Sequence, residues 1–479
     1  MSQDAKTTDN RSASSPPPTE RNLITRLFAP VDVAALVYFR ILFGGIMLAY
    51  VWQYLANGWV DQYYIKPAVH FTYYGFDWVR PWPGIGMLLH FYLLAALAVC
   101  LILGLFYRAS AFLFFIGFTY VFLLEKALHQ NHYYLVCLVS LVMVFVPAHR
   151  ACSLDALMQI TRRGNSAPAW TFWLLRLLVA IPYFYGAISK LNYDWLHGEP
   201  VRIWLSRRTD LPLIGGYFEA EWMVYFVTYW GLFFDLLVVP LLLWRRTRVA
   251  AFVAAVLFHL MNSVLWDIDI FPWFMIGATA LFFNPDWPRR ALRLPRVELD
   301  SALPESLSRK QKWTAACLAV GVSIQLLLPF YHFLYPGNVL WTGEGYLFSW
   351  HMMLRDTVAG ARFEATNRAT GETGNVDFDR YLSNKQAVGL GRDPDMLLQF
   401  SHFLAKELRR QGKEEIEIRA VALVSLNGRK PQLIVDPQLN LAAQTRTWRS
   451  QPWILPLREP LREKHWDVPI SQWERVLGL

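Results

Sequence analysis

A single lysine stands just after a long apolar run. The run covers residues 170–188, and Lys190 follows it after one serine. At about 1.5 Å per residue, a helix of this length crosses the roughly 30 Å hydrocarbon core of a bilayer. Tyr183 and Arg176 precede Lys190 at steps of seven residues, a spacing that brings all three nearly into line on a helix. The sequence therefore predicts a polar stripe that ends in a lysine at a membrane interface.

Two interpretations of Lys190 are open at this point. Lysines at membrane edges commonly extend their amines to the lipid headgroups. Alternatively, an amine held where water is scarce loses its proton more readily than a free one, and the neutral amine can then act as a base. Other ionisable residues that fall on the same side of the membrane favour the second interpretation.

The composition is that of a membrane protein. Hydrophobic residues make up 54% of the 479 positions, and charged residues only 17%, against about 25% in an ordinary soluble domain. The net charge of +9 arises from short basic clusters between apolar runs, without the basic stripe and interleaved aromatics of a nucleic-acid binder. Membrane lipids are therefore expected partners, and nucleic acid is not.

The N-terminal segment and the cysteines carry little chemistry. Residues 1–28 are polar, rich in Ser, Thr and Pro, and lack the apolar core of a secretory signal, so we predict a disordered tail. No pair of cysteines has zinc-ligand spacing, and all lie in or beside apolar segments. The sequence predicts neither a metal site nor a disulfide framework from Cys100, Cys137, Cys152 and Cys317.

Apolar runs predict an all-α polytopic membrane domain over residues 29–340, with about eight or nine helices. The candidate spans are residues 33–55, 84–106, 110–124, 133–146, 170–188, 222–244, 249–265, 271–283 and 313–334. Several are short for a full crossing, and those within 110–146 and 249–283 are expected to tilt, bend or re-enter.

The distribution of basic residues predicts the orientation. Short cytoplasmic loops hold the excess of Lys and Arg, and here the even-numbered connections hold most of them. They are Arg108; Arg150, Arg162 and Arg163; Arg245, Arg246 and Arg248; and Arg289, Arg290, Arg293, Arg296, Arg309, Lys310 and Lys312. The N-terminus is therefore predicted to be cytoplasmic. The region after the last span is predicted to be extracytoplasmic, in the periplasm or exterior of a bacterium or in the ER lumen of a eukaryote.

This topology brings rare polar residues to the outer face. Lys190, His132, His332 and the segment 267–269 all fall at outer ends of spans, and His259 with Asn262 occupies one helical face at i and i+3. A lone histidine in a span is more often packed and hydrogen-bonded than chemically active. Because several ionisable groups converge, however, we treat them as functional candidates.

The composition changes after Leu340. Residues 361–366, 416–426 and 431–435 are strand-like, and residues 393–411 repeat apolar side chains every three or four positions. The pair Asn427 and Gly428 between β-prone runs predicts a hairpin turn. We therefore predict an extramembrane β-rich domain over residues 341–479, which has no cysteine and relies on its own core.

Six motifs resemble the vitamin K-dependent γ-glutamyl carboxylases, whose membrane part is of the HTTM type. The resemblance extends from about Phe28 to about Leu457, and its longest motif is specific enough to decide between families. The motifs are EKALHQNHYY at 125–134, SKLNYDW at 189–195, FHLMNS at 258–263, HFLYPGNVLWTGEGYLFSW at 332–350, VSLNGR at 424–429 and QPWILP at 451–456.

The resemblance implies an integral membrane enzyme. Enzymes of that family oxidise reduced vitamin K with O₂ to the epoxide, and the strongly basic oxygen intermediate removes a γ-proton from a glutamate side chain, after which CO₂ traps the carbanion. Reduced vitamin K or a related quinol, O₂, CO₂ and a glutamate-containing peptide or protein are thus the implied reactants. A glutamate γ-carbon is far too weak an acid for any side chain to deprotonate, so the base must draw on the energy of O₂ reduction. Because water would quench a base of that strength, such a site must also exclude water.

The motifs imply roles for individual residues. Lys190 matches the lysine that, as neutral amine, deprotonates the hydroquinone, and His132 matches a histidine of the carboxylation half. His332 matches a histidine at the glutamate-binding outer surface. The quinone-binding candidates are His259, Asn262 and Tyr183. The candidates for glutamate binding are Trp341, Tyr346 and Trp350, for which an interfacial aromatic belt is the alternative.

The sequence also departs from the animal enzymes. It ends soon after Pro456, and residues 461–479 match no part of the family pattern, so recognition of a substrate propeptide is not implied. Two alternative functions stay open. One is a quinol epoxidase or oxygenase acting on a different or no protein substrate. The other is a non-enzymatic transporter or scaffold, although paired Gly or Pro breaks in matching halves, typical of transporters, are lacking.

Overall fold

The computed structural model describes residues 23–266, 268–299, 306–413 and 415–479. The predicted tail lies outside this part of the chain up to residue 22, and Leu23–Arg26 forms one helical turn. A short antiparallel ribbon then pairs Pro30–Asp32 with Ser166–Pro168. It joins the beginning of the first long helix to the beginning of a later one.

Nine apolar helices build the described part of the membrane domain. By length and composition, seven can cross a membrane: α1 (Ala34–Ala56), α2 (Gly86–Leu103), α3 (Tyr107–Leu124), α5 (Ala169–Ser189), α6 (Glu221–Leu243), α7 (Arg248–Leu265) and α9 (Arg309–Leu327, extended by a 3-10 segment to Leu334). Two are shorter, α4 (Asn131–Phe145) and α8 (Phe271–Thr279, extended to Phe282). The prediction of a polytopic helical domain is confirmed, and the short helices fall where short spans were predicted.

Helices α5, α6 and α7 contact one another near the predicted site residues Tyr183 and His259. Phe234 of α6 stacks on Phe258 of α7 with ring centroids 3.9 Å apart. Tyr183 of α5 shares a hydrogen bond of 2.6 Å with Nε2 of His259. These contacts hold the three helices together at the end of the bundle that also carries Lys190.

A four-stranded antiparallel sheet forms the centre of the C-terminal region. Its strands are β1 (Thr357–Asn367), β2 (Thr373–Val376), β3 (Ile416–Leu426) and β4 (Gln432–Leu433), in the order β2-β1-β3-β4. The C-terminal region also contains helices α10 (Asn384–Leu390) and α11 (Pro394–Arg410). The buried face of α11, including Leu397, Phe400 and Leu404, packs with the buried residues of β3. The predicted fold class, a helical membrane domain with a β-rich part, is confirmed.

The predicted hairpin turn is present after β3. Asn427 and Gly428 have φ values of +52° and +72°, the left-handed conformation that favours Asn and Gly in such turns. The N–H of Arg429 donates to the carbonyl of Leu426 at 3.2 Å and closes the turn. Arg429 then reaches the membrane domain, where it binds Asp194.

Short elements connect the longer ones. They are the helices Leu154–Leu157, Tyr193–Leu196, Val201–Ser206, Trp287–Ala291, Val339–Thr342 and Trp473–Leu477, the π-helical turn Asp61–Ile65 and the 3-10 turns Lys126–Leu128, Gly215–Tyr217, Phe378–Arg380, Leu441–Ala443 and Ile470–Gln472.

Buried ion pairs join the two regions. Lys126, which follows α3, contacts Asp393 and Asp395 of the C-terminal region at 2.8 Å each, and within that region Arg446 also contacts Asp395 at 2.6 Å. Burial lowers the pKa of Lys126, but the two carboxylates outweigh burial and raise the pKa overall. Lys126 is therefore a charged anchor at the start of α11.

We predict that Lys126→Met destabilises the junction much more than Lys66→Met. The Lys126 side chain is 8% exposed, whereas Lys66, paired with Asp61, is 72% exposed. Because the Asp393 carboxylate is 26% exposed and Asp395 keeps Arg446 as a partner, the loss should be smaller than the roughly 3 to 5 kcal/mol for breaking a fully buried pair. It should still exceed the about 0 to 1 kcal/mol that an exposed pair contributes. Thermal unfolding of the purified variants in detergent measures both effects, and equal midpoints for the two variants would contradict the prediction.

Candidate functional site

A cavity of about 340 Å³ lies at one end of the helical bundle. Helices α4 to α8 line it, together with the turn after α5 and the segment from Tyr346 to Arg355. Most of the lining is aromatic or aliphatic, including Trp195, Trp230 and Phe258. A mostly apolar pocket of this size with a few convergent polar groups is typical of a small-molecule site.

Lys190 and Asp235 form a buried ion pair in this cavity. Nζ of Lys190 lies 2.5 Å from Oδ2 of Asp235 and donates to the carbonyl of Gly186 at 3.3 Å. The ring of Trp195 lies 5.2 Å from the same nitrogen. Lys190 and Asp235 are each 6% exposed. The amine is thus enclosed by protein and does not extend outward, which excludes the headgroup interpretation of Lys190.

The absence of a side chain at Gly186 makes room for the pair. A Cβ at this position would lie 3.1 Å from Oδ2 of Asp235, 3.3 Å from Cε of Met352 and 3.7 Å from Nζ of Lys190. The shortest of these distances is closer than an ordinary van der Waals contact. Gly186, one helical turn before Lys190, therefore lets the carboxylate of α6 lie directly against α5.

The motif around Lys190 shapes the cavity wall. Lys190 ends α5, and the side chain of Asn192 then accepts from the N–H of Trp195 at 3.0 Å and starts a short helix. Nε1 of Trp195 donates to the carbonyl of Thr228 in α6 at 3.1 Å. Asp194 of the same turn binds Arg429 through both carboxylate oxygens at 2.6 and 2.7 Å. The turn therefore fixes the indole beside the amine and joins the site to the C-terminal region.

Asp235 was missed in the sequence analysis, although a signal was present. It is the sole acidic residue within the apolar run at 222–244, and an ionisable residue inside a span is a functional candidate. Its pairing with Lys190 depends on how α5 and α6 pack, which the sequence does not reveal.

Two histidines named from the sequence contact the same phenylalanine. His132 is 7% exposed and stacks on Phe271 at 5.6 Å between centroids, whereas His259 is 1% exposed and meets the same ring edge-on at 5.9 Å. Both imidazoles, with Tyr183 and Asn262, line the cavity that holds Lys190. With Tyr346, the fold thus brings together six of the predicted site residues.

Several buried polar atoms at the cavity have no hydrogen-bond partner in the described part of the chain. They are Nε2 of His129, Oδ1 of Asn131, Nε2 of His132, Nδ1 of His259 and Nδ1 of His351. Buried polar groups are almost always hydrogen-bonded. A bound molecule with polar groups, or ordered water, would satisfy these atoms, so the cavity fits a ligand that combines an apolar ring system with hydroxyl or carbonyl groups.

The segment after α9 is divided between the cavity and the core. Tyr346 lines the cavity, whereas His332, Trp341 and Trp350 do not. The ring of His332 lies 4.7 Å from that of His351, which does line it. Trp341 and Trp350 are 2% and 1% exposed, so the alternative of an interfacial aromatic belt is wrong for these two residues.

Two further histidines of the lining lie outside the membrane helices. Burial lowers the pKa of His351 to about 3, assisted by His332 and Arg355. Burial lowers the pKa of His129 to about 3 as well, assisted by Lys126. Both imidazoles are therefore neutral at physiological pH, and each can accept or donate one hydrogen bond at its free nitrogen.

One segment singled out in the sequence lies beside the cavity. Asp269 accepts a hydrogen bond from the hydroxyl of Tyr133 at 2.8 Å, and Ile268 belongs to the lining. Asp267 lies outside the described residues.

Two family models match the chain. Residues 28–287 match the HTTM domain, and residues 310–460 match the vitamin K-dependent gamma-carboxylase, lumenal domain. The first match covers more than half of the sequence, and the two follow one another along the chain. The protein therefore belongs to the vitamin K-dependent γ-carboxylase family, and its apolar helices make it a multi-pass membrane protein. No solved structure matches the chain.

We predict strong coupling between Lys190 and Asp235 in stability. Asp235→Leu leaves a buried ammonium without a counter-charge and is expected to cost about 3 to 5 kcal/mol, whereas an apolar replacement of both partners is often neutral or stabilising. The double variant Lys190→Met with Asp235→Leu should therefore be more stable than Asp235→Leu alone. Thermal unfolding of the two single variants and the double variant gives the coupling energy. Additive losses would show that the ion pair does not exist.

Proposed function

We propose that this protein couples the O₂-driven epoxidation of reduced vitamin K, or of a related quinol, to the carboxylation of glutamate side chains. One observation carries the proposal: a buried Lys190–Asp235 pair lies in an apolar cavity whose imidazoles each have one buried nitrogen without a hydrogen-bond partner among the described residues. Family membership supplies the reactants, and this geometry supplies a residue that can take a proton from a hydroquinone.

The reduced quinone, when bound, supplies together with O₂ the strong base that a glutamate γ-carbon requires. Tyr183, His259 and Asn262 are the residues that would hold its oxygens, because they bring polar atoms to an aromatic wall. Phe258 and Phe271 offer ring surface beside them. The unpartnered Nδ1 of His259 is the atom that most directly fits a quinol hydroxyl.

Lys190 accepts the hydroquinone proton, and Asp235 prepares it for this role. A lysine can act as a base only after it has lost its own proton. The carboxylate of Asp235, 2.5 Å from Nζ, can receive that proton, and in an apolar cavity a neutral amine beside a neutral acid avoids the desolvation of two charges. Asp235 thus acts as a proton store for Lys190.

His132 serves the carboxylation half of the reaction. Its Nε2 is buried and without a partner, and its ring is fixed between Tyr133 and Phe271. A neutral imidazole in this position can hold or deliver a proton on the glutamate side of the cavity. The aromatic enclosure keeps bulk water away from the reacting atoms.

Glutamate enters from the side formed by the segment at 332–355. Tyr346 contacts the glutamate side chain within the cavity. His332, Trp341 and Trp350 lie outside the lining and support the segment. Nε1 of Trp341 donates to the carbonyl of Leu455 at 2.7 Å, and the ring of Trp350 lies 5.5 Å from that of Tyr134. The two indoles therefore hold the segment in position.

The domain limits and orientation follow from the same proposal. Residues 29–340 form the membrane catalytic domain, with the N-terminus cytoplasmic, and residues 341–479 form the extracytoplasmic domain. Lys190 and Asp194 lie in one turn, and Asp194 binds Arg429 of the C-terminal region. The cavity therefore opens on the face of the membrane that carries that region, where a secreted or exported substrate is available.

A second function is favoured by one observation. Three of the residues that the resemblance links to glutamate lie outside the cavity lining, whereas all those linked to the quinol line it. A quinol epoxidase that carboxylates no peptide fits this arrangement as well.

One assay distinguishes the two functions. Purified protein in detergent is supplied with reduced vitamin K, labelled bicarbonate and a short glutamyl peptide, and both epoxide and labelled peptide are measured. The coupled reaction predicts both products, and epoxide alone supports the second function. Formation of neither product overturns both.

We predict that Lys190→Ala abolishes epoxide formation, because it removes the amine proposed to take the quinol proton. His132→Ala should retain more epoxide formation and lose CO₂ incorporation, because it acts in the second half of the reaction. Both products are quantified in the same assay, with the exposed Lys385→Ala as the matched control. Epoxide formation by Lys190→Ala at the parental rate would contradict the assignment of the base.

A further inference from the structure

Arg355 is a cation of the cavity lining without a carboxylate partner. Its guanidinium lies 4.0 Å above the centroid of the Tyr346 ring, and Nη1 makes a long hydrogen bond of 3.4 Å to the carbonyl of Leu340. Within the described residues, no Asp or Glu oxygen forms a salt bridge with it. Apart from this bond, its N–H groups have no hydrogen-bond partner among the described residues.

The neighbouring charges are already paired. Asp356, the next residue in the chain, binds Arg207 at 2.6 Å and accepts from Nε1 of Trp204 at 3.1 Å. Lys190, another basic residue of the lining, contacts Asp235 at 2.5 Å. The carboxylates of Asp356 and Asp235 are thus engaged with other residues, and neither forms a salt bridge with Arg355.

The guanidinium is held in a fixed orientation. The hydroxyl of Tyr346 donates to the carbonyl of His351 at 2.8 Å, which fixes the ring under the guanidinium. A stacked guanidinium presents its remaining N–H groups as a planar fork, which matches the two oxygens of a carboxylate. Because the fork is preorganised, less conformational entropy is lost when a carboxylate binds.

We propose that Arg355 binds the side-chain carboxylate of the acidic substrate. The inference rests on the proposed function and adds to it the residue that distinguishes the two organic substrates. A quinol has no carboxylate, so it gains nothing from Arg355, whereas a glutamate side chain is drawn to this side of the cavity. The neutral imidazole of His351 beside it adds a hydrogen-bonding group without a competing charge.

A binding experiment tests the proposal without turnover. A fluorescent glutamyl peptide and its glutaminyl counterpart are titrated by anisotropy against the purified full chain, against Arg355→Gln and Arg355→Lys, and against the control Arg380→Gln, whose side chain is 77% exposed. The parental protein should prefer the glutamyl peptide on the order of tenfold or more, since hydrogen bonds to a charged group have about this effect. Arg355→Gln should lose the preference, Arg355→Lys should keep part of it, and the control should keep all of it.

The outcomes separate this proposal from the proposed function. A glutamyl preference that persists in Arg355→Gln, or a parental protein without any preference, overturns the role of Arg355 even if epoxide is formed. If Arg355→Gln also loses quinone binding, measured by equilibrium binding of labelled quinone, the change is structural and the specific role fails. Absence of epoxide from the parental protein overturns the proposed function and leaves the peptide preference to be judged by itself.

Discussion

The contact between Lys190 and Asp235 is the constraint on which the rest of the site depends. Removing an ammonium and a carboxylate from water costs several kcal/mol for each ion, and only close contact with further hydrogen bonding offsets that cost. At 2.5 Å, with Gly186 providing the space, the two helices meet this condition. The position of α5 against α6 is thereby fixed, and with it the apolar wall and the position of the amine.

The C-terminal region contributes to the same cavity. Residues 346–355 supply lining to the cavity, and Lys126, Asp194 and their partners join this region to the helices. The proposed reaction requires a site protected from water and an entrance for a substrate side chain. A folded extramembrane region that both closes the cavity and presents cations meets the two requirements together.

Sequence patterns predicted the helices, three of the four strands of the C-terminal sheet and six residues of the cavity lining, because these depend on local periodicity and on motifs. The turn at Asn427 and Gly428 was predicted because left-handed conformations restrict the residue type. The partner of Lys190 could not be predicted, since pairing residues 45 positions apart requires the packing of α5 on α6. The separation of Tyr346 from Trp341 and Trp350 was hidden for the same reason, because one continuous motif contains both lining and core positions.

If the cavity beside Lys190 holds the quinol, photolabelling will detect it there. A photoreactive quinone analogue is irradiated with the purified protein, and the labelled peptides are identified by mass spectrometry with and without unlabelled quinone. We expect labels within residues 227–231 and 258–262, which contribute to the cavity lining on α6 and α7, and we expect unlabelled quinone to suppress them. Labels confined to the exposed surface of α9, unaffected by unlabelled quinone, would contradict it.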